Sequence, residues 1–275
     1  MGIFRARGAM VGTPRARAAR VVLAVALSIA AVAAAEPPVT PLAAVQPRIL
    51  HGTPTTGFPE VGVVGIRQQN DRLATCSGTL IAPTVVLTAA HCLVDAVDAA
   101  AVFVPEVGPR LEMLSSGFVV HPEYQGRPFA DIALVFLSSP AGSILPATLP
   151  ESRPRGRRGE IVGFGTDGGD FTIVKRVGTV KLLRRCPRRA RKRVGLGRRE
   201  LADSLCWKPK AGGNDTCVGD SGGPLFVDGV VAGVHSAGIS TSPVGCPSQI
   251  SWDTDVARFR DWIDAEVASR TGGAP

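Results

Sequence analysis

This sequence has only four histidines and one tyrosine in 275 residues. It contains no Cys-x-x-Cys pair and no His-x-x-x-His pair, so a zinc centre has no ligand set to build on. Acidic residues downstream of His91 are spread over Asp95, Asp98, Glu106 and Glu112, without the clustered oxygens that calcium requires. No metal and no cofactor is expected. The one long apolar stretch, Val21 to Ala35, is about 15 residues, short of the ~20 that span a bilayer as a helix, so no stable membrane association is expected. No internal repeat is visible.

That apolar stretch follows Arg5, Arg7, Arg15, Arg17 and Arg20 and ends at Ala33-Ala34-Ala35. A basic region, an apolar core and a small-residue cleavage site form a secretory signal peptide pattern over residues 1–35. Residues 36–48 are rich in Pro and Ala and read as a propeptide. The formal charge of +8 owes five units to the leader's arginines, which leaves +3 from Ile49 onward. Ten of the remaining positive charges lie between Lys181 and Arg199, where there is no acid and no aromatic residue. A block of one sign is ordinarily a solvated loop; the sharper reading is a polyanion-binding patch. The missing aromatics exclude a stacking platform for single-stranded nucleic acid.

Six cysteines, all beyond the leader, fit an oxidising compartment, and spacing does not choose among their 15 pairings. A secreted location, extracellular or periplasmic, is expected. From Ile49 the chain is a series of short β-branched runs: Val61–Ile66, Val85–Leu87, Ala101–Val104, Phe118–Val120, Ile132–Leu137, Ile161–Phe164 and Val230–Val234. Gly, Pro, Asn and Asp separate many of them, which predicts an all-β sandwich or barrel. Val256, Phe259, Ile263 and Val267 recur at helical spacing and predict one helix over 255–270. Pro150 to Arg158 reads as a linker.

A hydroxyl nucleophile needs a base within hydrogen-bond reach. Three segments offer the parts: Thr88-Ala89-Ala90-His91-Cys92, Asp131-Ile132-Ala133-Leu134 and Gly219-Asp220-Ser221-Gly222-Gly223-Pro224. Taken together and in this order, they resemble the trypsin-like, chymotrypsin-fold serine proteases. The resemblance runs from Arg48 to the C-terminal helix. It implies two six-stranded antiparallel β-barrels with a cleft between them and a C-terminal helix, over residues 49–275, with barrel one at about 49–150 and barrel two at about 151–275.

The resemblance also implies roles. Ser221 is the nucleophile, His91 the general base and Asp131 its orienting carboxylate. The amides of Gly219 and Ser221 form the oxyanion hole. Arg48-Ile49-Leu50-His51-Gly52 matches the activation site, where a cut after Arg48 frees the Ile49 amine to pair with Asp220. Leu50 and His51 depart from the usual Ile-Val-Gly-Gly. Asp215, with Thr216 beside it, falls at the bottom of the specificity pocket and selects Arg or Lys. Asn214-Asp215-Thr216 is also a glycosylation sequon, discounted because a glycan there would block the pocket.

The pocket wall His235-Ser236-Ala237-Gly238 replaces the usual Val-Ser-Trp-Gly, so Ser236 and Gly238 match while Ala237 lacks the large aromatic. Ser251 stands at a pocket glycine and would narrow the slot. The implied disulfides are Cys76–Cys92, Cys186–Cys206 and Cys217–Cys246, which leave no free thiol. His121 is expected at a loop or strand end. The reading is a secreted serine endopeptidase made as a zymogen, monomeric, acting on protein or peptide substrates after Arg or Lys. Two alternatives stand beside it: the same protease with non-tryptic specificity, and a weakly active polyanion-binding protein on this fold.

Overall fold

Seven short strands fall where the β-branched runs predict them, and they assemble in two sets. The computed structural model describes residues 49–271 except 107, 127–128, 166–172, 189–201, 203, 210–211, 241 and 243–245. The leader, the propeptide, Arg48 and most of the basic block lie outside the described residues. In the first set, β2 (Val61–Gln68), β3 (Leu73–Ala82), β4 (Val85–Thr88), β5 (Ala96–Phe103), β6 (Leu111–Val120) and β7 (Ala133–Leu137) close into an antiparallel barrel in the order β2-β3-β4-β7-β6-β5. Leu80, Val85, Leu87, Phe103 and Leu134 fill its interior, all fully buried.

The second set is a seven-stranded sheet. It comprises β1 (Thr53–Pro54), β8 (Arg158–Gly163), β9 (Arg176–Lys181), β10 (Ser204–Trp207), β11 (Pro224–Val227), β12 (Val230–Ser240) and β13 (Ser248–Asp255), in the order β1-β9-β8-β11-β12-β13-β10. Its six long members curl until Leu182, just past β9, bridges Trp207 on β10, and the Leu183 amide donates to the Cys206 carbonyl at 2.7 Å. Among the described residues the second sheet therefore meets its far edge through one bridge, where the first set closes through full ladders. The two-residue β1 adds to the outside of β9, so the chain just after Ile49 belongs physically with the second set.

The C-terminal helix, α1, spans Arg260–Thr271 and is led in by a 3-10 turn at Val256–Phe259. Val256, Phe259 and Ile263 bury the apolar stripe that the spacing predicts. Arg260 closes an i,i+4 pair with Asp264 at 2.8 Å and reaches the carbonyls of Leu149 and Pro150, which ties the helix to the inter-barrel linker. All three expected disulfides form: Cys76–Cys92, Cys186–Cys206 and Cys217–Cys246. Crosslinks over loops of this length each stabilise by about 2–4 kcal/mol.

Lys175 pins the two halves together. It is 2% exposed, and its ammonium donates to the carbonyls of Gly57 at 3.0 Å, Phe58 at 2.6 Å and Val104 at 3.2 Å. Burial pulls its pKa down to about 8, against the attraction of Glu60.

Candidate active site

His91 lies on a 3-10 turn, Ala90–Cys92, directly after β4. Cys92 anchors that turn to β3 through its disulfide with Cys76. Both sulfurs are therefore spent, and the Cys76, His91 and Cys92 cluster is no metal site. Asp131 ends the loop before β7 and is 2% exposed. A buried carboxylate needs partners, and Asp131 has three. Oδ1 accepts the His91 main-chain N–H at 2.8 Å, and Oδ2 lies 2.8 Å from His91 Nδ1. The Ser236 hydroxyl, from β12 of the second sheet, donates to the same Oδ2 at 2.6 Å. A carboxylate only accepts, so Nδ1 carries the proton and Nε2 is left as the free base of the ring.

Ser221 approaches from the second sheet on the turn before β11. Gly219 and Gly222 both hold positive φ, +93° and +79°. At Gly222 a Cβ would lie 2.1 Å from Thr88 Oγ1 and 2.5 Å from the Ser77 carbonyl, so only glycine lets this turn press against the first barrel. Among the described residues no hydrogen bond joins His91 to the Ser221 hydroxyl, and the amides of Gly219 and Ser221 donate to no protein acceptor. Catalytic hydrogen bonds are often long until substrate binds.

Ser77 holds this turn and was not singled out in the sequence. Its amide donates to the Ser221 carbonyl at 2.8 Å, its hydroxyl donates to the Gly219 carbonyl at 2.9 Å, and that hydroxyl accepts the Phe164 amide at 3.1 Å. Its one mark in the sequence is its place between Cys76 and Gly78.

Asp220 is buried behind the turn. It accepts the Gly165 amide at 2.7 Å and the Cys217 amide at 2.8 Å, and also a main-chain hydrogen bond from Ile49. A Cβ on Gly165 would fall 2.5 Å from the Asp220 carboxyl carbon, so that close approach also demands glycine. Burial pushes the Asp220 pKa up to about 6, opposed by the Cys217 and Gly165 amides, by His235 and by Ile49. Ile49 itself is fully buried among Ile161, Val180, Leu205, Trp207 and Leu225. Its φ of +40° is strained for a β-branched residue. Leu50 bridges Asp215, and the Asn214 side-chain amide donates to the His51 carbonyl at 2.7 Å, so the sequon asparagine is engaged.

Asp215 is wholly buried. It accepts from the Thr216 amide at 2.8 Å, the Ser248 hydroxyl at 2.9 Å, the Ser248 amide, and the Ser251 hydroxyl at 3.3 Å. Burial raises its pKa; the Ser248 and Thr216 hydrogen bonds and the charge of His235 oppose the rise. Gly238 stands across β12 from Ser251, and a Cβ on it would meet the Ser248 Cβ at 2.8 Å. Two serines thus occupy the space against Asp215. Ser248 opens β13, directly after a loop, and no motif in the sequence marks it. His121 follows β6, buried edge-on against Phe259 and Trp262 at ring separations of 5.0 and 4.7 Å, a structural position.

One barrel supplies a carboxylate-held imidazole and the other a glycine-flanked serine, which is the arrangement of the chymotrypsin fold. HL collagenase shares that fold, with a TM-score of 0.65 over 82% of this chain and 98% of that one at 22% identity. Mouse neuropsin superposes with a TM-score of 0.62 at 26% identity, covering 77% of this chain and 96% of its own. The trypsin family model matches residues 51–263, and the chain belongs to the trypsin family. It is 34% identical over 223 residues to human serine protease 56, which covers 73% of this chain but only 36% of that longer protein. Mouse kallikrein 1-related peptidase b11 is 29% identical over 275 residues, covering 90% of this chain and 97% of the relative. A trypsin from Phaedon cochleariae is 32% identical over 215 residues, covering 70% and 78%.

Proposed function

We propose that this protein is a secreted serine endopeptidase, made as a zymogen, that cuts after Arg or Lys. The observation that carries this reading is the buried Asp131 gripping both the main chain and Nδ1 of His91 while Ser236 reaches across to it. That grip directs Nε2 outward as a base. In the reaction the Ser221 oxygen attacks the scissile carbonyl, and Nε2 takes its proton and delivers it to the departing amine. The acyl-enzyme is then hydrolysed by water activated the same way. The uncommitted amides of Gly219 and Ser221 would receive the oxyanion; one such donor is generally worth about 10²–10³ in rate.

Residues 1–35 act as the signal peptide, 36–48 as the propeptide and 49–275 as the monomeric protease domain. Cleavage after Arg48 converts the Ile49 amide already directed at Asp220 into an ammonium, which turns a dipole into a full charge pair. The strained Ile49 φ exists only while Arg48 remains attached, so cleavage also releases that strain. In this reading Asp215, Thr216, Ser236 and Gly238 form the substrate-binding set, and Asp215 receives the substrate cation.

The test is kcat/KM for the chain processed at Ile49, on matched peptides ending in Arg, Lys, Phe or Ala, with Ser221→Ala as control. Arg and Lys peptides should be preferred, and the control should lose nearly all turnover. Turnover with another preference removes Asp215 from its role and keeps the triad. No turnover with a free Ile49 favours the binding-protein alternative. A polyanion is a second partner, favoured by a groove of about 420 Å³ lined by Arg158, Lys181 and Lys208 beside the basic block. Retention on heparin should collapse with added salt; retention indifferent to salt rejects this partner.

A further inference from the structure

His235 has no part in the chemistry above, yet it is buried at the centre of the protein's charged interior. It precedes Ser236 on β12, where a valine is usual, and its side chain is 9% exposed. Strand register sets it opposite Asp253 on β13, and its Nδ1 lies 2.9 Å from Asp253 Oδ1. Asp253 is fully buried, and its other oxygen accepts the Trp207 indole N–H from β10 at 2.8 Å. Trp207 donates only, so this oxygen of Asp253 is fixed as an acceptor and the other is left to face the ring.

Ser251, two residues before Asp253 on the same face of β13, reaches Asp215 at 3.3 Å, so the anchor of the ring and the contact to Asp215 share one strand face. Asp215 and Asp220, from the loop that leads to Ser221, also favour the imidazolium through their charge. Burial, the largest influence, lowers its proton affinity. The Asp253 hydrogen bond and the charges of Asp253, Asp220 and Asp215 together outweigh it and raise the pKa above 6.5. Removing charge from that cluster would leave carboxylates buried and unpaired.

We propose that His235, anchored by Asp253, is a specificity-determining residue of the primary pocket: as an imidazolium it offsets Asp215 and weakens the hold on an Arg or Lys side chain, and as a neutral ring it restores the full Asp215 charge. The proposal rests on the reading of Asp215 as the pocket floor. It requires reciprocity: a cation bound against Asp215 lowers the proton affinity of His235 by the same factor by which the His235 proton weakens that cation.

Benzamidine, a small amidinium, tests this without turnover. The processed chain is titrated by calorimetry between about pH 6 and pH 9, and the His235 ring is followed by NMR with and without benzamidine. Its titration midpoint should fall on binding. A fall of about one pH unit corresponds to about tenfold weaker amidine binding in the protonated state. His235→Gln should bind benzamidine several-fold more tightly than the parent below the measured His235 midpoint and equally above it, where the parent ring is neutral. Asp253→Asn should move the step to lower pH. If the variants do not fold, the NMR titration of the parent decides. A His235 midpoint unchanged by bound benzamidine overturns the proposal and leaves the pocket reading standing. No benzamidine binding at any pH, with no Arg or Lys turnover, overturns both.

Discussion

Ser251 shows how one hydroxyl can set the strength of a pocket. Its side chain reaches Asp215 at 3.3 Å and Ser248 at 2.5 Å, so in the proposed pocket an incoming guanidinium would have to displace protein hydroxyls instead of water. Ser251→Gly removes one of those partners and opens space beside Gly238. The expected result is a gain of about tenfold in kcat/KM on Arg peptides, equivalent to ~1.4 kcal/mol, with Phe peptides unaffected. A loss on Arg peptides would mean that Ser251 supports Asp215 instead of obstructing it. Residues of this kind differ in how far the sequence exposes them. His91, Asp131 and Ser221 are legible because each sits inside its own contiguous motif. The His235–Asp253 pair is not, because its members lie 18 residues apart and meet only through the β12–β13 register, which a bulge at Ser236 interrupts.

At the scale of elements, the strands seen in advance are those that carry β-branched runs. β3 reads Leu-Ala-Thr-Cys-Ser-Gly-Thr-Leu-Ile-Ala and buries Ser77 and Thr79 as completely as Leu80, so hydrophobicity gives it no outline. β9 carries only two valines in six positions, Val177 and Val180, three apart with Gly178 between them, so it shows no alternation. β13 interleaves buried Asp253 and Asp255 with Trp252, a pattern that makes sense only once their partners are known. The C-terminal helix was anticipated over 255–270; its first turn is a 3-10 segment, and α1 proper begins at Arg260. Lys175 shows how an element junction is fixed by one side chain. Lys175→Met would leave the carbonyls of Gly57 and Val104 without this donor, while the Phe58 carbonyl keeps the Val61 amide. Each buried orphan costs about 1–3 kcal/mol, so a total loss of roughly 2–6 kcal/mol should be seen in urea unfolding. A loss below about 1 kcal/mol would show that water replaces the ammonium.

At the scale of the whole molecule, pH should separate the uncut chain from the processed one. In the uncut chain the folded pKa of Asp220 is about 6, above its ordinary 3.8. A group raised in this way contributes fully below its unfolded pKa, and that contribution is lost as pH rises through the folded value. The uncut protein should therefore lose stability between about pH 4 and pH 6 on account of Asp220. On the proposed cleavage after Arg48, an ammonium at Ile49 would lower the Asp220 pKa and remove the loss. Calorimetry should show a larger fall in Tm from about pH 5 to pH 7 for the uncut chain than for the processed one. Equal falls would mean that the Ile49 amine does not reach Asp220.

The single bridge between Leu182 and Trp207 has a consequence for the protein's lifetime. A barrel shut by a clasp has a defined place to open, and the Cys186–Cys206 bond, one residue from that clasp, limits how far it parts. Arg184 and Arg185 stand exposed just beyond it, at the head of the densest run of arginines in the chain. Under the proposed specificity for arginine, the weakest seam of the second barrel would adjoin a good substrate for the protein itself. Ageing in solution would then be a second-order process, one copy clipping another at the clasp, with the disulfide holding the clipped ends together.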